Sequence, residues 1–212
     1  MAIIATAGTS ASGQFDCIQD CISIAKQYEA WCHIDASWGG AFRLLPESNA
    51  LFGDLSLADS INFDPHKVLA QPKPCSIILY QHTLSPLLSV DCQYIEQHPT
   101  HSLPGSYGGE VFLPLWLSFL TFGTEGLQQQ LRELLQQADY FAEQLQQQSN
   151  WPVFHSNSGI VCFQTPYGNE LDDLVKLGIL SKAQRAGSIV YRAVFTTSTR
   201  AKALFDQLQH YF

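Results

Sequence analysis

The residues able to do chemistry in this 212-residue chain concentrate in three short segments: AGTSASG with Thr9 and Ser10, HIDASWGG with His33 and Asp35, and DPHK with His66 and Lys67. A lysine amine can capture a carbonyl carbon, and a carboxylate can hold a positive charge or a proton in place. Hydroxyls in a glycine-flanked turn can meet a ligand, but they also cap helices. Singly, each segment is weak. A carboxylate at the end of a buried strand is more often a turn former or a cap than a reacting group, and a His-Lys pair arises by chance in many proteins. Their order and separation matter more, because all three fall where strands end. A fourth candidate, Arg192, lies among apolar residues between Tyr191 and Ala193. A cation there needs an anionic partner, which an internal Asp or Glu could supply.

Strands and helices must position these groups, and the hydrophobic pattern predicts them. Ala2 to Thr6 reads as a buried strand that runs into the AGTSASG loop. Asp16 reads as a helix cap, followed by Ile18, Cys21, Ile22, Ala25 and Tyr28 at helical spacing, and Trp31 to Ile34 is the next strand, ending at Asp35. Such a strand–helix–strand unit makes parallel pairs, with ligands bound at the strands' carboxyl ends. A third strand, Ala58 to Phe63, leads into Asp64, Pro65, His66 and Lys67, and a fourth, Cys75 to Tyr80, follows the QPKP turn. Residues 81–109, with Pro86, Pro99 and Pro104, read as connections and a mobile loop of little regular structure.

Beyond that loop, Leu127, Leu131, Leu134, Leu135, Ala138, Phe141, Ala142 and Leu145 hold a helical period through a Gln-rich stretch, the mark of an amphipathic helix with a neutral polar face. After Trp151 and Pro152 the pattern changes to a strand at Gly159 to Gln164, a helix from Asn169, a strand at Ser188 to Phe195 and a helix from Thr199. The fold class is therefore α/β. Residues 1–126 carry the mostly parallel sheet, 127–150 a linking helix, and 151–212 a small α+β domain.

Composition narrows the function. Eleven Lys and Arg stand against 19 Asp and Glu, for a net charge of −8, and no basic cluster interrupts the acidic balance. A negative surface repels phosphate backbones and anionic lipid, which argues against nucleic acid or membrane binding. Hydrophobic residues make up 46% and charged residues 14%, a low charged share that predicts an interface on part of the surface. The six cysteines form neither a CxxC pair nor a dense secreted framework, so reduced thiols are expected. The start lacks a basic region followed by an apolar one, and no apolar run reaches the roughly 20 residues of a spanning helix. A soluble, cytoplasmic protein is expected.

Together, ATAGTSASGQFD, WCHIDASWGG and ADSINFDPHK followed by CSIIL resemble the pyridoxal-phosphate-dependent decarboxylases of the glutamate, aromatic L-amino acid, cysteine-sulfinate and diaminobutyrate group. PLWLSFLTFGTEGL and SGIVCFQ extend the resemblance into the second half of the chain. It implies part of the large domain of a fold-type I enzyme, with pyridoxal 5'-phosphate as cofactor, no metal, and an amino acid substrate. In that pattern Asp35 faces the cofactor's ring nitrogen and Lys67 holds its aldehyde as a Schiff base. His66 approaches the phosphate, Thr9 and Ser10 line the cofactor, and Ser37 lies against the ring where members commonly have Ala. Arg192 matches an arginine that in some members binds the substrate carboxylate. His33 reads instead as a packed, hydrogen-bonded core histidine. His98 and His101 fall in the family's mobile loop, where an exposed histidine is ordinary surface.

The sequence also departs from the pattern. Family members carry, ahead of the AGT strand, a segment with the turn that cups the phosphate and a histidine that stacks on the ring, and this chain starts after both. A sheet begun midway has an unpaired edge and an uncovered face, so Ile3, Ile4 and Trp31 should be only partly buried and self-association should follow. The loop is shortened, and Tyr94 and Tyr107 lie only at the margins of where members place a proton-donating tyrosine. Asp64 stands where several members have Asn, and a second negative charge there opposes cofactor binding unless it turns away. Three readings follow: a decarboxylase completed as a homo-oligomer or by a chain supplying the other half; a non-catalytic fragment or interaction subunit of the same fold; and another fold-type I lyase.

Overall fold

The computed structural model describes residues 1–82 and 108–212. Tyr94, His98, His101 and Tyr107, with nearly all of the connection expected over 81–109, lie outside the described residues. In chain order the elements are β1 (Ala2–Thr6), α1 (Ile18–Gln27), β2 (Trp31–Asp35), β3 (Ser60–Phe63), β4 (Ile77–Tyr80), α2 (Leu113–Gln148), β5 (Val153–Ser156), β6 (Ile160–Phe163), α3 (Asp172–Lys176), β7 (Ser181–Arg185), β8 (Ser188–Val194) and α4 (Ala201–Leu208). The first sheet has the order β1-β2-β3-β4, parallel across its first three strands and antiparallel at β4. The second is antiparallel throughout, ordered β5-β6-β8-β7.

The β1–α1–β2 unit forms because Ile18, Ile22 and Ala25 repeat on one helical face and bury against the sheet. Asp16 does not cap α1, contrary to the sequence expectation: the cap position is Cys17, with no side-chain cap bond. The Asp16 carboxylate instead accepts the Thr6 amide at 2.7 Å. Backbone groups alternate sides along a strand, and Ala7 N–H already bonds Asp35 O across to β2, so the Thr6 amide points to the open side of the edge strand. A local carboxylate there satisfies a donor that no strand reaches.

The expected exposure of that edge is present. Ile4 is 66% and Trp31 41% exposed, while Ile3 is half-buried against the core. The long helix differs from expectation at its start. α2 begins at Leu113 and is broken by Gly123, which has φ 63° and ψ −179°. Its second segment buries Leu127, Leu131, Leu134, Ala138, Phe141, Ala142 and Leu145 against the second sheet and α4. Its first segment is apolar over most of its circumference, with only Ser118 and Thr121 polar, so it shows no narrow apolar stripe for a periodicity argument to find.

One core joins both sheets, running from Ile22, Ile34 and Phe42 through Leu131 and Phe141 to Phe163 and Phe205. Burying each such side chain stabilises by roughly 1.5–3 kcal/mol. β5 and β7 have no counterpart in the sequence reading; β7 is SKAQR, whose polar alternation carries little strand signal. The cysteines among the described residues are free thiols. No described helix is long and apolar enough to cross a membrane.

Candidate active site

The loop after β1 is clamped between the two sheets. Ala7 O accepts the Gly39 amide at 2.9 Å, and a Cβ at Gly39 would lie 2.3 Å from that oxygen, so only glycine permits the approach. From the other side, Ser156 Oγ donates to Ser12 O at 2.8 Å and Cys162 Sγ to Ala11 O at 3.3 Å. Arg192 donates through Nη1 to Ser10 O. Trp38 Nε1 donates to Ser158 O at 2.8 Å, tying the segment after Asp35 to the second sheet. The seam so formed holds a cavity of about 490 Å³, within the range of small-molecule sites.

Six sequence-predicted residues meet in that cavity: Thr9, Ser10, Asp35, Ser37, Lys67 and Arg192. A larger cavity of about 560 Å³, among Gln71, Gln137 and Thr197, contains none of them. Asp35 lies at the end of β2, on the face it shares with Trp31 and His33. Burial pushes its carboxyl pKa up, but the Ser37 hydroxyl and amide, the Asn62 side chain and the Lys67 charge outweigh burial and hold it below the ordinary value. The Ser37 amide is 3.1 Å from Asp35 Oδ1. Asp35 is therefore ionised at neutral pH.

Lys67 arrives by a tight turn. Pro65 takes the second position of Asp64–Lys67, and Lys67 N–H donates to Asp64 O at 3.0 Å. The turn also brings the side chains together, with Lys67 Nζ 3.0 Å from Asp64 Oδ2. Asp64 therefore does not turn away from the lysine; it pairs with it and accepts Ser76 Oγ at 2.7 Å.

Arg192 donates Nε to Ser181 Oγ at 2.9 Å, and among the described residues no carboxylate forms a salt bridge with it. Its internal partners are a hydroxyl and a carbonyl, so its charge remains available to an anion. Thr9 Oγ1 sits 3.1 Å from Ser12 Oγ, inside the loop. His33 Nδ1 lies 2.8 Å from Ser60 Oγ, which also accepts Trp31 Nε1 at 2.8 Å. That matches the packed, hydrogen-bonded histidine expected from sequence.

His66 is the site candidate that does not line the cavity. Its Nδ1 is 2.7 Å from Cys75 O, which pins the turn to the approach of β4. Two residues escaped the sequence reading: Trp38, which lines the cavity, and Asn62, which neighbours Asp35 without lining it. Asn62 stands opposite Asp35 in the β2–β3 register, and its Oδ1 is buried without a hydrogen-bond partner among the described residues. A polar residue inside the short SINF strand was its only signal. Trp38 had none beyond its place in WGG.

The chain is similar to known proteins in sequence and in fold. Residues 1–166 match the family model described as the pyridoxal-dependent decarboxylase conserved domain. The chain is similar to an aromatic-L-amino-acid decarboxylase of Cavia porcellus, 31% identical over 183 residues that are 81% of this chain and 38% of the relative. It is also similar to a glutamate decarboxylase of Drosophila melanogaster, 31% identical over 159 residues, 69% of this chain and 31% of the relative. A crystal structure of Oryza sativa TDC with PLP and tryptamine shares the fold, with a TM-score of 0.82 at 22% identity, covering 100% of this chain and 49% of that one. The chain spans less than half the length of these curated relatives.

Proposed function

The chain belongs to the pyridoxal-dependent decarboxylase family, and on that premise we propose that the seam cavity is part of the pyridoxal 5'-phosphate site of an L-amino acid decarboxylase. The observation that carries this reading is one cavity holding both an ionised carboxylate, Asp35, and a primary amine, Lys67. The donor set fits the cofactor: an anion for a ring cation, an amine for an aldehyde, and hydroxyls around them. When bound, the cofactor supplies an electron sink for the carbon that loses carbon dioxide. Asp35 keeps the proton on the ring nitrogen, and Ser37 and Asn62 fix the carboxylate's orientation. Lys67 Nζ is the covalent anchor for the aldehyde. Arg192 receives the substrate carboxylate, and Thr9 and Ser10 wall the cavity beside it. His66 acts at one remove, by holding the turn that carries Lys67.

Completion of the site by further polypeptide, from a second copy or from a chain supplying the other half, is part of the proposal. Its support is the apolar first segment of α2, exposed among the described residues. The same exposure favours the second reading, a non-catalytic subunit of this fold.

The test is carbon dioxide release from labelled glutamate, aspartate, aromatic amino acids and 2,4-diaminobutyrate with excess cofactor, alongside borohydride trapping and peptide mapping. Label on Lys67, and a loss of about 10²–10³ in turnover for Asp35→Asn, are expected from removing a preorganised charge. Label on Lys73 or Lys26, or near-normal turnover in Asp35→Asn, would overturn the assignment. Label on Lys67 without turnover on any substrate would select the non-catalytic reading.

A further inference from the structure

Lys67 does not rest against Asp35. Its Nζ is 3.0 Å from Asp64 Oδ2, with the Asp64 side chain only 14% exposed and the Lys67 side chain 36%. Both oxygens of Asp64 are engaged, Oδ2 by the lysine and Oδ1 by Ser76 Oγ at 2.7 Å. The turn is fixed as well: Lys67 N–H bonds Asp64 O at 3.0 Å, and His66 is held to Cys75. The carboxylate is therefore preorganised beside the amine by the turn's own hydrogen bonds and by Ser76.

We propose that Asp64 is a built-in restraint on Lys67, holding its side chain in an ion pair and slowing the covalent loading of an aldehyde at this position. Capture of an aldehyde needs the electron pair of Nζ. The ammonium must first release a proton to solvent; then the C–N bond forms and the carbonyl oxygen departs as water. The charge-assisted bond at 3.0 Å must also break before the amine can attack an aldehyde in the cavity. Asp64 is thus a positioning residue that acts through Lys67. The inference rests on the reading of Lys67 as the cofactor's anchor, but its chemistry concerns only the amine and its neighbour.

Two measurements separate the inference from that reading. The first uses reductive methylation of the full chain by formaldehyde and a borane at neutral pH, with the rate at Lys67 taken relative to exposed Lys73 by peptide mass spectrometry. Asp64→Asn, nearly isosteric, should raise that ratio about fivefold, the scale of a partly exposed ion pair. Asp64→Glu, which restores the charge, should return it toward the original value. Ser76→Ala, which frees one carboxylate oxygen, should give a smaller rise. A ratio unchanged in Asp64→Asn, or equally raised in Asp64→Glu, would overturn the restraint. The second measurement is the rate of borohydride-trapped pyridoxal phosphate at Lys67, which should rise in step. If the methylation ratio rises but no variant takes cofactor at Lys67, the restraint stands and the cofactor assignment falls. If cofactor loads on Lys67 at equal rates in all variants, the assignment stands and the restraint falls.

Discussion

The two segments of α2 on either side of Gly123 follow opposite rules. After the glycine, apolar residues recur on one face from Leu127 to Leu145 and are buried, while glutamines cover the other. Before it, Leu113, Trp116, Leu117, Leu120 and Phe122 point in several directions, and each is exposed, Trp116 by 58% and Leu120 by 62%. A helix apolar over most of its circumference is one built to be enclosed. Large contiguous exposed apolar patches on soluble proteins mark interaction sites. The contrast separates what this polypeptide stabilises internally from what it offers to another surface, and Gly123 is the joint between the two.

The sharpest way to break that contrast is to damage each segment in turn. Phe141→Ala removes a ring with no exposed area that packs on Phe163 and Phe195, at centroid distances of 6.0 and 5.4 Å. A loss of about 3–5 kcal/mol in urea unfolding is expected, from lost transfer energy plus the cavity left behind. A loss below about 1 kcal/mol would mean that the second segment is not the brace described here.

The same burial pattern shows what sequence could reveal. The second segment was legible because one face repeats every three to four residues; the first was not, because apolar residues cover most of its circumference. The strand-end chemistry was legible for a related reason, since Asp35 and Lys67 each stand where an apolar run stops. Their partners were not. Asp16 accepting Thr6, Arg192 reaching Ser10 O and Trp38 reaching Ser158 O all join residues distant in sequence, with no local signature. β5 and β7 were invisible because each becomes a strand only by pairing with β6 or β8.

A milder pair of substitutions probes the first segment. Leu117→Gln with Leu120→Gln should leave unfolding within about 0.5 kcal/mol, as surface changes usually do. It should lower the apparent mass in sedimentation or light scattering, because the altered residues are exposed and apolar. An unchanged mass with reduced stability would show that the first segment packs within its own chain.

The smallest effect tests how firmly the second segment is tied to β5. His155 Nε2 lies 3.4 Å from Asp139 Oδ1 on α2, yet it makes no hydrogen bond of good geometry among the described residues. Burial pushes the His155 pKa below its ordinary value, and Asp139 only partly offsets that. A histidine with a depressed folded pKa binds its proton more readily when unfolded. Its neutral form is favoured in the fold at all pH above the unfolded pKa of about 6.5, and the associated stability drains away as pH falls through the folded pKa. Asp35, whose own pKa is lowered from a carboxylate value of 3.8, loses its contribution only in more acidic solution. As pH falls below about 6.5 the unfolding free energy from urea titration should therefore decline with a slope approaching, but not exceeding, about 1.4 kcal/mol per pH unit for this one proton. His155→Gln should remove His155's part of that slope while leaving stability at pH 8 changed far less than Phe141→Ala does. An identical slope in the two proteins would mean that His155 is solvated where it packs against α2, and that the seam between helix and sheet is looser than its burial indicates.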